Sequence, residues 1–441
     1  MSGEVSPSSK IVIVGAGCFG LSTAYHLLKR GFTSVTVLDK SAVLPAPDAA
    51  STDLNKVVRS SYSDVFYTQL ARDAIAEWKN EAEWGYCYHE CGVVVLGQSK
   101  ASYANKAYTN DVSLGARIST LSTPSAVRSV FPSTVSTGSF EDLTGYVNHD
   151  GGWATAATAM SRILQKVKDL GATVIAGKAV TSLLKRDTDG TTRGVKCADE
   201  SEYEADLVVL AAGSWMASAF PDQGLQAKCV ATGQCIAFVE LTAEEAAAYK
   251  DLPVCLDFVS GFYIFPPNKD NFVKFAIHSA GLTHTVSDIA SEASLSPSTP
   301  RTVLSDGQDG LRIPKDDVQV LRHHLRALYP DLAKKPFAGT RICWYTDAPD
   351  DDWVIGYHPE DSGVMLATAG CGHAFKFLPN IGRLVADAIQ KTMDAALIEK
   401  FALNRPQPDT DNVYASGLYR QAQKPKELDL GSLCTPKDLL P

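Results

Sequence analysis

The stretch Ile11-Val-Ile-Val14-Gly15-Ala-Gly17-Cys-Phe-Gly20, followed after one amphipathic run by Ser34-Val-Thr-Val-Leu38-Asp39, decides the fold of this 441-residue chain. Four consecutive β-branched residues suit a strand buried on both faces, as at the centre of a parallel sheet. Gly15 allows a tight turn, Gly17 lets backbone N–H groups approach a pyrophosphate, and Gly20 lets the next helix pack closely on the strand. That helix is predicted from Phe19 to Arg30, with Leu21, Ala24, Leu27 and Leu28 on one face and a stop at Gly31. Asp39 closes the second strand, where a carboxylate can accept hydrogen bonds from both ribose hydroxyls. Strand, glycine turn, helix, second strand and acid together predict a dinucleotide-binding βαβ unit.

Length favours two or three domains, any of which can bury a full core. With 45% hydrophobic and 21% charged residues the composition is that of a globular protein, and the net charge of −9 argues against nucleic acid or an anionic membrane as main partner. No apolar run approaches the ~20 residues needed to cross a bilayer, and residues 1–10 lack the apolar centre of a signal peptide. The expectation is an intracellular, cytoplasmic protein, and Leu439-Leu-Pro441 does not match a Ser-Lys-Leu peroxisomal address. The ten cysteines form no CxxC pair, so neither a zinc site nor a disulfide framework is expected.

Further along, Lys56 and Arg59 stand three apart beside the predicted nucleotide site, a spacing that serves a substrate carboxylate or a charged surface. Asp64 to Trp84 reads as one helix, with Phe66, Leu70, Ala74 and Trp78 down one face. Val93 to Leu96 reads as a buried strand, and the Ser/Thr-rich stretch from there to Phe140 as a separate, less regular lobe. The strand Leu207 to Leu210 ends in Ala211-Ala212-Gly213, small residues that permit a second close approach to the nucleotide. Val230 to Glu240 and Val254 to Ala276 alternate as antiparallel strands do. Thr285 to Asp309 reads as an insertion that could cover the cavity, and the tail beyond Phe401 as polar chain wrapping the surface. A late turn, Gly370-Cys-Gly372-His373, opens a helix from Pro379 to Lys391. These residues leave FAD and NAD both open; N-terminal placement of the βαβ unit and the late glycine turn favour FAD.

Arg341-Ile-Cys343-Trp-Tyr345, then Tyr357-His-Pro359, then Gly370-x-Gly-His373-x-Phe-Lys376 closely resemble the group of monomeric sarcosine oxidase, pipecolate oxidase and fructosyl amino acid oxidase, flavoproteins of the D-amino-acid-oxidase superfamily. The resemblance covers nearly the whole chain. It implies an α/β, two-domain architecture: a discontinuous Rossmann-type FAD-binding domain from residues 1–90, 150–225 and 340–400, an antiparallel-sheet substrate domain from 91–149 and 226–339, and a tail from 401–441. It implies FAD held through a thioether from Cys343 to the flavin 8α carbon, and extends the cofactor contacts beyond Gly15, Gly17, Gly20, Asp39, Ala212 and Gly213. The added contacts are Cys18, Phe19, Lys40, Ser51, Lys56, Trp215, Gly370, Gly372, His373, Phe375 and Lys376.

By the same resemblance Lys274 activates O₂, where a fixed cation stabilises negative charge developing on oxygen. His278, Tyr263 and Tyr345 shape the substrate cavity, with His278, Tyr345 and His373 placed among the catalytic groups. Arg59 and Lys376 hold the substrate carboxylate, an arrangement suited to a planar anion, with Lys56 nearby. Asp53-Leu-Asn-Lys56 looks like the fungal fructosyl amino acid oxidases, whereas sarcosine oxidases carry arginine at the Lys56 position. Arg59 and His278 look instead like sarcosine, pipecolate and saccharopine oxidases, and deglycating enzymes carry glutamate at the His278 position. The expected activity is oxidation of an N-substituted or cyclic secondary-amine amino acid by hydride transfer to flavin N5, giving an imine and H₂O₂. A fructosyl amino acid oxidase is the alternative, and a dehydrogenase passing electrons to a partner a further one. The expected partners are a small amino acid and O₂, without metal, and the enzyme is expected to be a monomer.

Overall fold

The computed structural model describes residues 5–97, 101–286, 296–406 and 424–441. Among these residues the chain is α/β and builds four sheets, two large ones of six and ten strands and two small ones of three strands each. The first is a six-stranded sheet in the order Val354–His358, Asp361–Thr368, Leu207–Leu210, Lys10–Val14, Ser34–Leu38, Thr173–Ile175. All neighbours are parallel except the outermost pair, Val354–His358 with Asp361–Thr368. Ile13 sits opposite both Val209 and Val37. The uninterrupted β-branched run has its reason here. Ile11 and Ile13 point into one core with the helices, while Val12 and Val14 point into a second with the three-stranded sheet of Val180–Lys185, Thr192–Cys197 and Glu202–Glu204.

The helix Cys18–Lys29 follows the glycine turn and packs against Ile381–Ile389. Both approaches depend on glycine: a Cβ on Gly20 would lie 1.9 Å from the Gly15 carbonyl oxygen, and one on Gly382 would lie 2.1 Å from the backbone of Ser22. Gly20→Ala should therefore cost about 1–3 kcal/mol or more, the range for overpacking against a fixed backbone, read as a lowered urea midpoint. Retention of the native midpoint would show that the helix can shift freely.

The stretch predicted as a single helix from Asp64 to Trp84 divides. Asp64 caps Val65–Trp78, its carboxylate accepting from the Phe66 N–H, and a separate turn of helix spans Glu81–Trp84. The Asn80 backbone between them is extended, which ends the first helix and reopens the chain.

The second system is a ten-stranded mixed sheet. Its long strand Val230–Glu240 pairs antiparallel with Gly339–Asp347 and with Phe272–Ile277. Val254–Asp257 pairs antiparallel with Phe262–Ile264 but parallel with Val93–Leu96. Val93–Leu96, Ile118–Leu121 and Gly145–Asn148 thus belong to this sheet, and the region read as a separate lobe is continuous with it. One face is covered by the helix Lys315–Leu328; the other carries Lys274, Tyr263, Cys343 and Tyr345 towards the first system.

Residues 424–441 depart from the expectation of surface chain. Lys426–Glu427 adds a strand beside Leu282–Thr283, and Leu428, Leu433 and Cys434 are buried in the second core. Residues 287–295 of the expected insertion lie outside the described residues, as do 407–423 of the tail, while 296–309 is ordered around the short helix Val303–Asp306. Among the described residues no helix is long and apolar enough to cross a membrane, and no cluster of His, Cys, Asp or Glu is arranged to hold a metal.

Candidate active site

Two cavities open where the sheet systems face each other, and they share Lys56, Tyr345, Gly372 and Phe375 as lining. The first begins at the end of the strand Lys10–Val14 and, counted with the solvent at its open mouth, spans about 1250 Å³. Gly15, with φ +110°, admits no side chain, because a Cβ would meet the Ala211 carbonyl oxygen at 2.4 Å. Asp39 braces this turn: one carboxylate oxygen accepts from Ala16 N–H at 2.7 Å and the other from Ser41 N–H at 2.9 Å. Burial raises the Asp39 pKa despite these donors. The Lys40 ammonium lies 3.6 Å from the Trp215 ring centroid.

The chemistry of this cleft fits a dinucleotide. Its phosphate end is a glycine cradle at a helix N-terminus, its wall carries a buried carboxylate, and the buried Thr368 hydroxyl has no partner among the described residues. Gly15, Gly17, Cys18, Phe19, Asp39, Lys40, Ser51, Lys56, Ala212, Gly213, Trp215, Gly370, Gly372 and Phe375 all line it. Gly20 does not, being used in helix packing, and His373 and Lys376 line the neighbouring cavity instead.

That second cavity gathers Lys56, Arg59, Tyr263, Lys274, His278, Tyr345, His373 and Lys376, residues drawn from across the whole chain. Phe258, Phe265 and Phe375 supply apolar wall. Lys274 lies in the strand Phe272–Ile277, fully buried, and its ammonium donates to Asp53 Oδ2 at 2.6 Å and to the Asn55 carbonyl at 2.8 Å. Lys56 Nζ meets the same Asp53 oxygen at 2.9 Å and stands 3.6 Å from Cys343 Sγ. Burial alone would raise the Asp53 carboxyl, but Lys274, Lys56 and Arg341 outweigh it and hold the group well below the usual carboxylate range. Burial draws Lys274 down to about 8, opposed by Asp53 and reinforced by Lys56. Against the same burial, Asp53 keeps Lys56 above its ordinary value.

Opposite these, Lys376 Nζ donates to the Tyr62 hydroxyl at 2.7 Å and to the His373 carbonyl at 2.8 Å. Trp78 fixes this turn by donating to the Lys376 carbonyl at 2.7 Å. Arg59 donates to the Ser61 carbonyl and packs over the Tyr62 and Phe258 rings. Burial and the Arg59 charge push Lys376 well below its ordinary value. The segment bearing Arg59 is held by buried Asp111, which accepts from Ser60 at 2.6 Å, Ser61 at 3.0 Å and Asn148 at 3.1 Å.

Cys343 lies in Gly339–Asp347 opposite Gln234, fully buried, and lines neither cavity although Trp344 and Tyr345 line the nucleotide cleft. Sequence reasoning named Asp53 only as part of a family signature and missed its bridging of two lysines. The opposite charges of Asp53 and Lys56 three residues apart were the available signal. Tyr62 and Asp111 gave no local signal.

A family model described as FAD dependent oxidoreductase (DAO) matches residues 10–388. The L-saccharopine oxidase of Schizosaccharomyces pombe is 31% identical, over 87% of this chain and 90% of its own. The human peroxisomal sarcosine oxidase is 23% identical, over 89% of this chain and 95% of its own. The crystal structure of the deglycating fructosamine oxidase Amadoriase II of Aspergillus fumigatus superposes with a TM-score of 0.81 at 27% identity, covering 98% of both chains.

Proposed function

The chain belongs to the FAD dependent oxidoreductase family, and from that premise we propose that it oxidises the C–N bond of an amino acid carrying a secondary amine, giving an imine and H₂O₂. The observation that carries the reading is the meeting of a nucleotide cleft with a cavity in which Arg59 and Lys376 stand together and a buried Lys274 forms another part of the wall. FAD, when bound, accepts a hydride equivalent from the C–H beside nitrogen and passes the electrons to O₂.

Gly15, Gly17 and the N-terminus of Cys18–Lys29 would hold the pyrophosphate, and Asp39 a ribose. Arg59 and Lys376 bind the substrate carboxylate and orient the molecule, Tyr62 fixing the lysine. Phe258, Phe265 and Tyr263 exclude water. The surrounding cations disfavour an ammonium, so the amine enters neutral. Lys274 places positive charge where negative charge develops on oxygen. We take the enzyme to be a monomer. We place the reaction inside the cell.

We further propose that Cys343 carries FAD through a thioether. Its burial in a strand whose next two residues line the cleft supports this. Cys343→Ser should release all flavin on acid denaturation, whereas the native chain should keep yellow, fluorescent flavin after denaturing electrophoresis. Free flavin from the native chain would refute the linkage.

The test of the activity is anaerobic bleaching of the flavin by sarcosine, L-pipecolate, L-saccharopine and a fructosyl amino acid. Bleaching by one of the first three is expected. The likeness to Amadoriase II, together with Asp53-Leu-Asn-Lys56, favours the fructosyl compound as the second reading; bleaching by it alone would establish that reading instead.

A further inference from the structure

One carboxylate oxygen, Asp53 Oδ2, serves two ammonium groups: Lys274 Nζ at 2.6 Å and Lys56 Nζ at 2.9 Å. The Asp53 and Lys274 side chains are each 1% exposed and that of Lys56 is 15% exposed. One negative charge cannot compensate two buried cations, so the cluster carries an excess of positive charge at the junction of the two cavities. Two of the three Lys274 hydrogens are used by Asp53 and the Asn55 carbonyl, and Lys274 is part of the lining of the substrate cavity.

We propose that Asp53 is a positioning residue for oxygen reduction, which decides that the positive charge stays on Lys274, at the cavity wall, as well as on Lys56. This rests on the oxidase reading above only in taking O₂ as the electron acceptor. The argument is one of competition. Without the Asp53 charge, two ammonium groups would face each other in a buried site, and one must give up its proton. Lys274 is the one that does so. It is the more deeply buried, and Lys56 opposes its charge, whereas Lys56 keeps partial solvent contact.

The groups that face the cluster come from several elements. Asp53 and Lys56 come from the segment leading into Lys56–Val58; Arg341 and Cys343 come from Gly339–Asp347, and Tyr263 from Phe262–Ile264. His278, beyond the end of Phe272–Ile277, lines the same cavity. With Asp53 present, Lys274 titrates near 8, low for a lysine and reached through burial. Charge on a lysine exists below its pKa, so the reaction with O₂ falls as pH rises through that value.

Asp53→Asn should move the falling limb to lower pH. The holoprotein is reduced with dithionite, freed of excess reductant and mixed with O₂ across pH 6 to 9, which needs no amine substrate. Above the displaced limb the variant should reoxidise more slowly than native, by about tenfold for each pH unit of displacement, and should regain speed on acidification. Lys274→Met, with no proton to regain, should stay slow throughout. The lysine ¹³Cε resonance lost in Lys274→Arg should titrate at lower pH in Asp53→Asn, a readout independent of turnover.

An unshifted resonance, or reoxidation as fast as native with the same limb, overturns the proposal. So does slow reoxidation that acid does not relieve. If Asp53→Asn does not hold flavin, Lys56→Met decides: removing the competing cation should shift the Lys274 resonance and the limb to higher pH, and an unchanged or lowered position overturns the proposal. Failure of every amine to bleach the flavin would defeat the substrate reading while leaving these measurements intact. If native reduced flavin does not react with O₂, the oxidase reading fails and the resonance alone decides the role of Asp53.

Discussion

Lys274→Met should leave anaerobic bleaching of the flavin by substrate within a few-fold of native while slowing reoxidation by O₂ about 10²–10³-fold, the scale on which a single preorganised electrostatic donor acts. The asymmetry follows from position. Lys274 is held by Asp53 and the Asn55 carbonyl at one wall of the cavity, whereas Arg59 and Lys376 stand together at another part of its lining. The side chain is wholly buried, and methionine replaces its stem with little loss of packing. It leaves Asp53 with Lys56 as its ammonium partner, so the carboxylate is not stranded. Stopped-flow measurement of the two half-reactions separates the effects. Equal slowing of both would assign Lys274 to substrate binding, and no slowing of either would remove it from the mechanism. A dehydrogenase would show slow native reoxidation from the start.

Arg59→Met should weaken binding of carboxylate substrates about 30-fold or more, since loss of one charged partner from a buried ionic contact costs about 2–5 kcal/mol. Amines lacking a carboxylate should bind the variant no worse than native. Arg59 is placed by three features: its own bond to the Ser61 carbonyl, the rings of Tyr62 and Phe258, and the Asp111 network that pins Ser60 and Ser61. The variant also tests the electrostatics of its neighbour. Burial first, and the Arg59 charge second, lower the Lys376 pKa, so in the native protein carboxylate affinity should decline as pH rises through that depressed value. Removing Arg59 relieves the repulsion and should shift the decline to higher pH. Titration of flavin difference spectra with a carboxylate inhibitor at several pH values measures both effects. Unchanged affinity would place the carboxylate elsewhere in the cavity.

The parts of this molecule that were legible in the sequence are those whose causes are local. Gly15, Gly17 and Asp39 are spaced by one turn, one helix and one strand, and the cleft they line needs nothing further to be anticipated. The lining of the second cavity was legible only as a family pattern, because Arg59, Lys274 and Lys376 come from distant segments. What escaped depends on contacts between remote residues. Asp53 and Lys274 stand 221 residues apart, and nothing near either announces their ion pair. The segment 424–441 read as polar, but Leu428, Leu433 and Cys434 suffice to seat it in the second core while its charges remain outside.

The strand order of the six-stranded sheet bears on how the protein comes off the ribosome. Leu207–Leu210 lies between Lys10–Val14 and Asp361–Thr368, so the sheet is assembled from both early and late parts of the chain. A ribosome that has translated as far as Leu328 has made the glycine turn and Asp39. It has not made Asp361–Thr368, nor Gly370 and Gly372 of the cleft, nor the helix Ile381–Ile389 that covers Cys18–Lys29. From the translation of Leu210 until that of Thr368 the nascent chain therefore exposes an unpaired edge at Leu207–Leu210 and an uncovered apolar helix face, both of which invite aggregation. Such a chain calls for chaperone shelter until its last quarter emerges, and flavin must be captured after translation of the cleft is complete.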